Sequence, residues 1–217
     1  MSIFKQLCRT LVLSAVVAAL SVGLMGCPET PDEPDVPPST VSQLSCGTRE
    51  CRSVTIGNQT WMAENMNMKT EDSRCFKNDE YNCTKFGRLY TWDMAVKICP
   101  KGWHLPSEGE WGDLIQFVGD PVYAAGTNNA GTKLKSTTGG WSNKATDDFG
   151  FSALPNGKWS TVSKDFVLER KAFWWTSTSS EDANRAYYVF ADDVYTWVHS
   201  DHSSKSDWHA VRCVLNN

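Results

Sequence analysis

The sequence predicts an α+β fold, disulfide-bonded, with two early helices packed on short, mostly antiparallel strands joined by long loops. Three observations predict it. Six cysteines, Cys46, Cys51, Cys75, Cys83, Cys99 and Cys213, follow an apolar leader, and an even number in an exported chain implies disulfides. Apolar residues recur at helical spacing only between Thr91 and Val118. Beyond Gly119 the apolar runs shorten and Gly, Asn, Thr and Ser become frequent, the pattern of short strands and turns.

The leader comes first. Lys5 and Arg9 precede an apolar run from Leu11 to Met25, which ends in Leu24-Met25-Gly26-Cys27. A charged start, a short apolar stretch and a small residue before the cut describe a secretory signal over 1–26. The last four residues resemble a bacterial lipobox, which implies cleavage before Cys27 and lipidation of its thiol. The run is short for a membrane span, which needs about 20 apolar residues. From 27 to 45 the chain reads as a tether. Pro28, Pro31, Pro34 and Pro37 recur every third residue with Glu29, Asp32, Glu33 and Asp35 between them, the period of polyproline II. At about 3.1 Å per residue it reaches roughly 50 Å. Residues 46–217 form the globular domain. Without Lys5 and Arg9 the chain carries 19 basic against 25 acidic residues, a charge of −6. With no long basic patch, nucleic acid is not an expected partner. The expected partners are the membrane, through the lipid, and a polysaccharide or cell-envelope protein. The expected location is the bacterial cell envelope, at the outer membrane and its surface, because residue 28 is proline rather than aspartate.

Val54-Thr55-Ile56, Gly57-Asn58 and Gln59-Thr60-Trp61 read as a hairpin ending at Met62. A loop carries Cys75 and Cys83. Arg88-Leu89-Tyr90 reads as a strand, then Thr91 caps a helix running to Cys99, where Pro100 and Gly102 stop it. Ser107-Glu108-Gly109-Glu110 is a capping box, and Trp111, Leu114, Ile115 and Val118 give the second helix its apolar face. Phe149 to Leu154 and Ala172 to Thr176 read as strands. Arg185–Phe190 and Val194–His199 read as a hairpin around Asp192-Asp193, and Ala210–Val214 as the last strand.

Several separated motifs carry a family resemblance. They are Ile56-Gly57-Asn58-Gln59-Thr60-Trp61-Met62-Ala63-Glu64-Asn65-Met66-Asn67, Arg88-Leu89-Tyr90-Thr91-Trp92-Asp93-Met94-Ala95, and Cys99-Pro100-Lys101-Gly102-Trp103-His104-Leu105-Pro106-Ser107-Glu108-Gly109-Glu110-Trp111. Asp147-Asp148-Phe149-Gly150-Phe151-Ser152-Ala153-Leu154-Pro155 and Val211-Arg212-Cys213-Val214 follow in order. From Val54 to Leu215 the chain resembles the Fibrobacter succinogenes major paralogous domain, a family defined by sequence and without an established activity. More distantly it resembles the C-type lectin-like fold, and its Leu105-Pro106-Ser107-Glu108 run resembles the formylglycine-generating enzymes that share that fold. Six cysteines permit 15 pairings. The lectin resemblance implies Cys99 with Cys213, and by position Cys75 with Cys83 and Cys46 with Cys51. The calcium-dependent sugar motif of the lectins is missing: Leu154-Pro155-Asn156 lacks the leading acid. The enzyme resemblance implies a late reactive cysteine pair, and the only late cysteine is Cys213, so no catalytic residue, cofactor or metal is carried over.

Among ten tryptophans, Trp61, Trp92, Trp103 and Trp111 read as core. Trp174, Trp175, Tyr195, Trp197 and Trp208 are the candidate ligand-binding residues, because exposed aromatic rings beside Asn, Asp and Ser make sugar platforms. Neighbours on a strand point to opposite faces, so one of Trp174 and Trp175 is expected to leave the core unless a further layer covers it. His199, Asp201, His202, Asp207 and His209 read as a polar hairpin loop, and His104 as a hydrogen-bonded structural residue. Asp147-Asp148 and Asp192-Asp193 could contribute oxygens to a calcium site, which needs six or more ligands, and turn chemistry explains both pairs equally well. With no zinc-type Cys-x-x-Cys spacing, no phosphate loop and no nucleophile–base pair, the expected function is a surface binding or adhesion module. An enzyme of the formylglycine-generating type and a purely structural envelope protein are the alternatives.

Overall fold

The computed structural model describes residues 44–47, 50–119, 128–142, 144–167 and 170–216. The signal, Cys27 and all but the end of the tether lie outside the described residues. Gly57, at φ 62, turns strand β1 (Ser53–Ile56) back into β2 (Gln59–Met62) in the expected hairpin, with Val54 opposite Trp61. β3 (Ser73–Arg74), a 3-10 turn at Phe76–Asn78 and helix α1 (Glu80–Phe86) follow. The sequence alone predicts a loop there, because a seven-residue helix leaves little periodic signal. The Asp79 carboxylate accepts from the Tyr81 N–H and so caps α1. β4 (Leu89–Tyr90) leads into α2 (Trp92–Ala95), a single turn that does not run on to Cys99. Lys97 N–H bonds to the Met94 carbonyl, three residues back, so the helical ladder is already lost. After β5 (Trp103–His104) comes α3 (Glu108–Val118), where both arms of the Ser107–Glu110 capping box are made. The five-residue α4 (Ala130–Leu134) is too short to leave a periodic signal.

The later strands are β6 (Lys158–Ser160), β7 (Asp165–Val167), β8 (Lys171–Ser179), β9 (Arg185–Asp192), β10 (Val198–Ser204), β11 (His209–Ala210) and β12 (Val214–Leu215). They form a six-stranded sheet in the order β10-β9-β8-β11-β4-β3, a four-stranded sheet β1-β2-β12-β5 and the pair β6-β7. Every pairing is antiparallel except β11 with β8.

Three expectations fail for local reasons. Phe149–Leu154 is not a strand: Gly150 at φ 68 and Ser152 at φ 54 break the extended run, and only Ala153 bridges, to Lys135. The β9–β10 hairpin opens later than expected, at 193–197, and His199 to Ser204 lies on β10, not in a loop. β10 is an edge strand, so one of its sides faces no partner and a polar run is tolerated there. The last strand is split, β11 joining one sheet and β12 the other.

Strand alternation feeds two cores. Trp61, Leu89, Trp174 and Ala210 enter one, with Trp111, Leu114 and Val118 from α3 and Phe151 from the irregular loop. Their chain neighbours Met62, Tyr90, Trp175 and Val211 enter the other, with Ile98, Leu105 and Phe173. Both sides of the central strands are therefore covered. Three disulfides pin the ends: Cys99–Cys213, Cys75–Cys83 and Cys46–Cys51.

Candidate functional site

The five aromatic candidates separate cleanly. Trp174 is 1% exposed, Trp175 0% and Trp208 8%, which takes all three out of contact with any ligand. Trp174 donates to the Asn65 Oδ1 at 2.9 Å and Trp175 to the Tyr90 carbonyl at 2.8 Å, as buried indoles must. Trp208 packs under the Arg74 guanidinium, 4.3 Å from the ring centroid. A covering layer, not an exposed face, takes the second tryptophan of the pair.

Tyr195 and Trp197 stay at the surface, Tyr195 at 49% exposure and Trp197 half-buried. Their rings stack with centroids 4.7 Å apart and planes 15° apart. Phe190 meets Trp197 edge-on at 5.6 Å, and His199 flanks it at 5.2 Å. The stack stands on the loop between β9 and β10, and α4 holds that loop. Gly131 brings the α4 backbone so close that a Cβ there would sit 2.7 Å from the Thr196 carbonyl and 2.8 Å from that of Trp197. Just past α4, buried Lys135 donates through Nζ to the carbonyls of Asp192 and Tyr195. Burial pushes the Lys135 ammonium down to about 8, against the pull of Asp193 and Asp192. Asp193 accepts from the Ser142 N–H and hydroxyl and from Arg170. Burial opposes its charge, yet those donors hold the carboxyl below the usual range. Asp192 accepts from Val194 N–H and pairs with Lys171. Both acids brace the loop instead of offering cation ligands.

The remaining polar candidates are structural. His104 lies between Asn216 Oδ1 at 2.6 Å and Glu110 Oε1 at 2.7 Å, tying the four-stranded sheet to the start of α3. Asp147 accepts from the Ser152 N–H and hydroxyl. His199 and His202 lie three apart on β10 and so point to opposite sides. Cys75, Glu80 and Cys83 come together in space, but both sulfurs are spent in a disulfide. His209 is fully buried, stacked 4.0 Å from Trp175 and 3.4 Å from the Ser203 hydroxyl, with no hydrogen bond to its Nδ1. Among the described residues no carboxylate hydrogen-bonds to its ring.

Burial, reinforced by Lys158, holds the His209 pKa well below its ordinary 6.5. The unfolded chain therefore takes up a proton below pH 6.5 that the folded chain refuses. Stability contributed by this group is complete above that pH and lost on acidification. The limit for one proton is about 1.4 kcal/mol per pH unit. Urea melts at pH 6.5 and 5.5 are expected to differ by up to that amount more in the parent than in His209→Phe. Equal acid sensitivity would refute it.

A second feature was not anticipated from the sequence. Arg212 is 1% exposed and lines a cleft of about 260 Å³ together with Arg52, Glu64, Asn65, Lys85 and Ser136. Its Nε donates to Asn65 Oδ1 at 3.0 Å, its Nη1 to the Phe151 carbonyl, and its plane lies 4.2 Å from the Phe151 ring centroid. Burial lowers its pKa to about 9, so it remains a cation at neutral pH. Glu64 and Asp147 attract it from a distance, but Glu64 receives two bonds from Arg52 and Asp147 two from Ser152. Among the described residues none forms an ion pair with Arg212. The available sequence signal was a charge set between Val211 and Cys213, inside an otherwise buried run.

No curated protein and no solved structure matches the chain. One family model does, over residues 54–215, which include the hairpin β1–β2, the capping-box helix, the stack-bearing loop and Arg212. By that match the chain belongs to the Fibrobacter succinogenes major domain family.

Proposed function

We propose that the protein is a saccharide-binding module of the bacterial cell envelope, held on the outer membrane by a lipid on Cys27. The observation that carries this reading is the Tyr195–Trp197 stack, half in solvent and braced by Lys135, Gly131 and Asp193. A sugar ring presents apolar C–H faces that pack on aromatic rings, while its hydroxyls need nearby polar groups. The exposed His199 imidazole and Thr196 stand beside the stack to supply them. Because the loop is already held in place, binding loses little conformational entropy.

The leader and lipobox of the sequence support the anchor, and disulfides suit an oxidising compartment. The C-type lectin-like reading is kept as part of this proposal. It is supported by a disulfide that joins the segment after α2 to the chain just before β12, and by an irregular middle between the early helices and the last strand.

The test is a glycan array probed with the full chain in detergent, in calcium and in chelator. Selective glycan binding is expected, equal in the two buffers because the acid pairs are committed to protein donors. It should fall at least about tenfold in Tyr195→Ala, a loss in line with removing one aromatic contact. In cells, Cys27→Ala is expected to leave the membrane fraction. An array with no selective glycan would assign the protein to a structural role instead, and selective binding indifferent to Tyr195→Ala would remove the stack as the site.

A further inference from the structure

We infer that the cleft over Arg212 is a second binding site, and that it takes the carboxylate of a sugar acid. The guanidinium has five N–H donors, and the described residues engage only Nε and Nη1; Nη2 makes no hydrogen bond to any of them. A buried cation that no described residue pairs as a counter-ion carries a large desolvation penalty. The rings of Phe151 and Trp174, at 4.2 and 5.8 Å, offset only part of it. The protein thus keeps a full charge at the base of the cleft.

The cleft reinforces that sign. Arg52, Lys85 and Arg212 line it against the single acid Glu64, which is itself paired with Arg52, although the chain as a whole carries a net charge of −4. A planar carboxylate matches the planar guanidinium fork, and anion approach replaces the missing ion pair. The walls then select what bears the carboxylate. Phe86, Leu154 and Ala63 supply an apolar side, while Ser136 and Thr138 present hydroxyls. At about 260 Å³ the space lies at the small end of ligand pockets and suits one sugar unit. An inorganic oxyanion would use the charge and leave the apolar wall idle. None of these residues belongs to the Tyr195–Trp197 stack, so the two sites succeed or fail separately.

The test is titration calorimetry on the full chain in detergent with D-glucuronate, D-glucose and sodium sulfate. D-Glucuronate is expected to bind saturably at one site, with glucose and sulfate at least about tenfold weaker. Arg212→Lys keeps the charge but loses the fork, and should weaken glucuronate about tenfold or more. Lys85→Glu changes an exposed rim residue without touching the core, and should also weaken it about tenfold. D-Glucuronate should raise the melting temperature of the parent protein by mass action and leave that of Arg212→Lys unmoved. Tyr195→Ala should bind glucuronate like the parent. The proposal is overturned by the absence of saturable glucuronate binding at millimolar concentration. It is equally overturned by affinity unchanged in both Arg212→Lys and Lys85→Glu, or by sulfate binding as tightly as glucuronate.

Discussion

Replacing Cys99 and Cys213 together by serine is expected to lower the unfolding free energy by about 4–5 kcal/mol, the largest effect of any of the three disulfides. The bond joins residues 114 apart, and the entropy that a cross-link removes from the unfolded chain grows with the loop it closes. Cys46–Cys51 and Cys75–Cys83 close loops of separation 5 and 8, for which the same relation gives about 2–3 kcal/mol each. The long bond is also tied into the four-stranded sheet: the Cys213 carbonyl accepts from Met62 N–H of β2, and Val214 next to it pairs with both Trp61 and His104. With total stabilities of small domains near 5–15 kcal/mol, losing this bond removes a large share. Urea denaturation of the three double-serine variants under oxidising conditions gives the ranking. Equal losses from the three would show that loop closure is not what the long disulfide contributes.

Trp174→Ala and Trp175→Ala are each expected to cost about 3–5 kcal/mol, the range for a buried large aromatic. Trp174 packs against Trp111 at 5.5 Å and Phe151 at 6.2 Å in one core. Trp175 stacks on His209 at 4.0 Å in the other and meets Tyr188 edge-on. Adjacent residues of one strand point to opposite sides of the sheet, so comparable losses require both sides to be covered. In a sheet with one wet face, one of the two substitutions would stay within about half a kcal/mol of neutral. Chemical melts of the two single variants decide between these outcomes.

These two residues mark where the sequence stops being legible. A strand covered on both faces reads as a continuous apolar run, and Ala172 to Thr176 is such a run, so the strand itself was readable. The layer covering its second face was not. That layer includes Tyr90, Ile98, Leu105 and Val211, scattered over more than a hundred residues and brought together by the fold. The hairpin at Gly57-Asn58 and the capping box at Ser107 were legible because each is a local arrangement with its own chemistry. The helices α1 and α4 were not, at seven and five residues, because they span two turns or fewer. The disulfide pairing followed from the resemblance to the C-type lectin-like fold rather than from spacing.

The candidate sites divide in the same way. Tyr195 and Trp197 are two apart in the sequence and stack as that separation allowed. The support of their loop by Lys135 and Gly131 comes from some sixty residues away and left no trace in the local pattern. Asn65, 147 residues from Arg212, orients that guanidinium and also accepts from Trp174. One side chain thus links the cleft to the core, a relation available only from the folded chain.

The most direct test of the saccharide-binding reading follows the tryptophan indole N–H resonances while the glycan selected on the array is titrated into the protein. The Trp197 signal is expected to move in proportion to occupancy while those of Trp174 and Trp175, sealed in the two cores, stay where they are. Saturable binding that leaves Trp197 unmoved would contradict it and remove the Tyr195–Trp197 stack as the site.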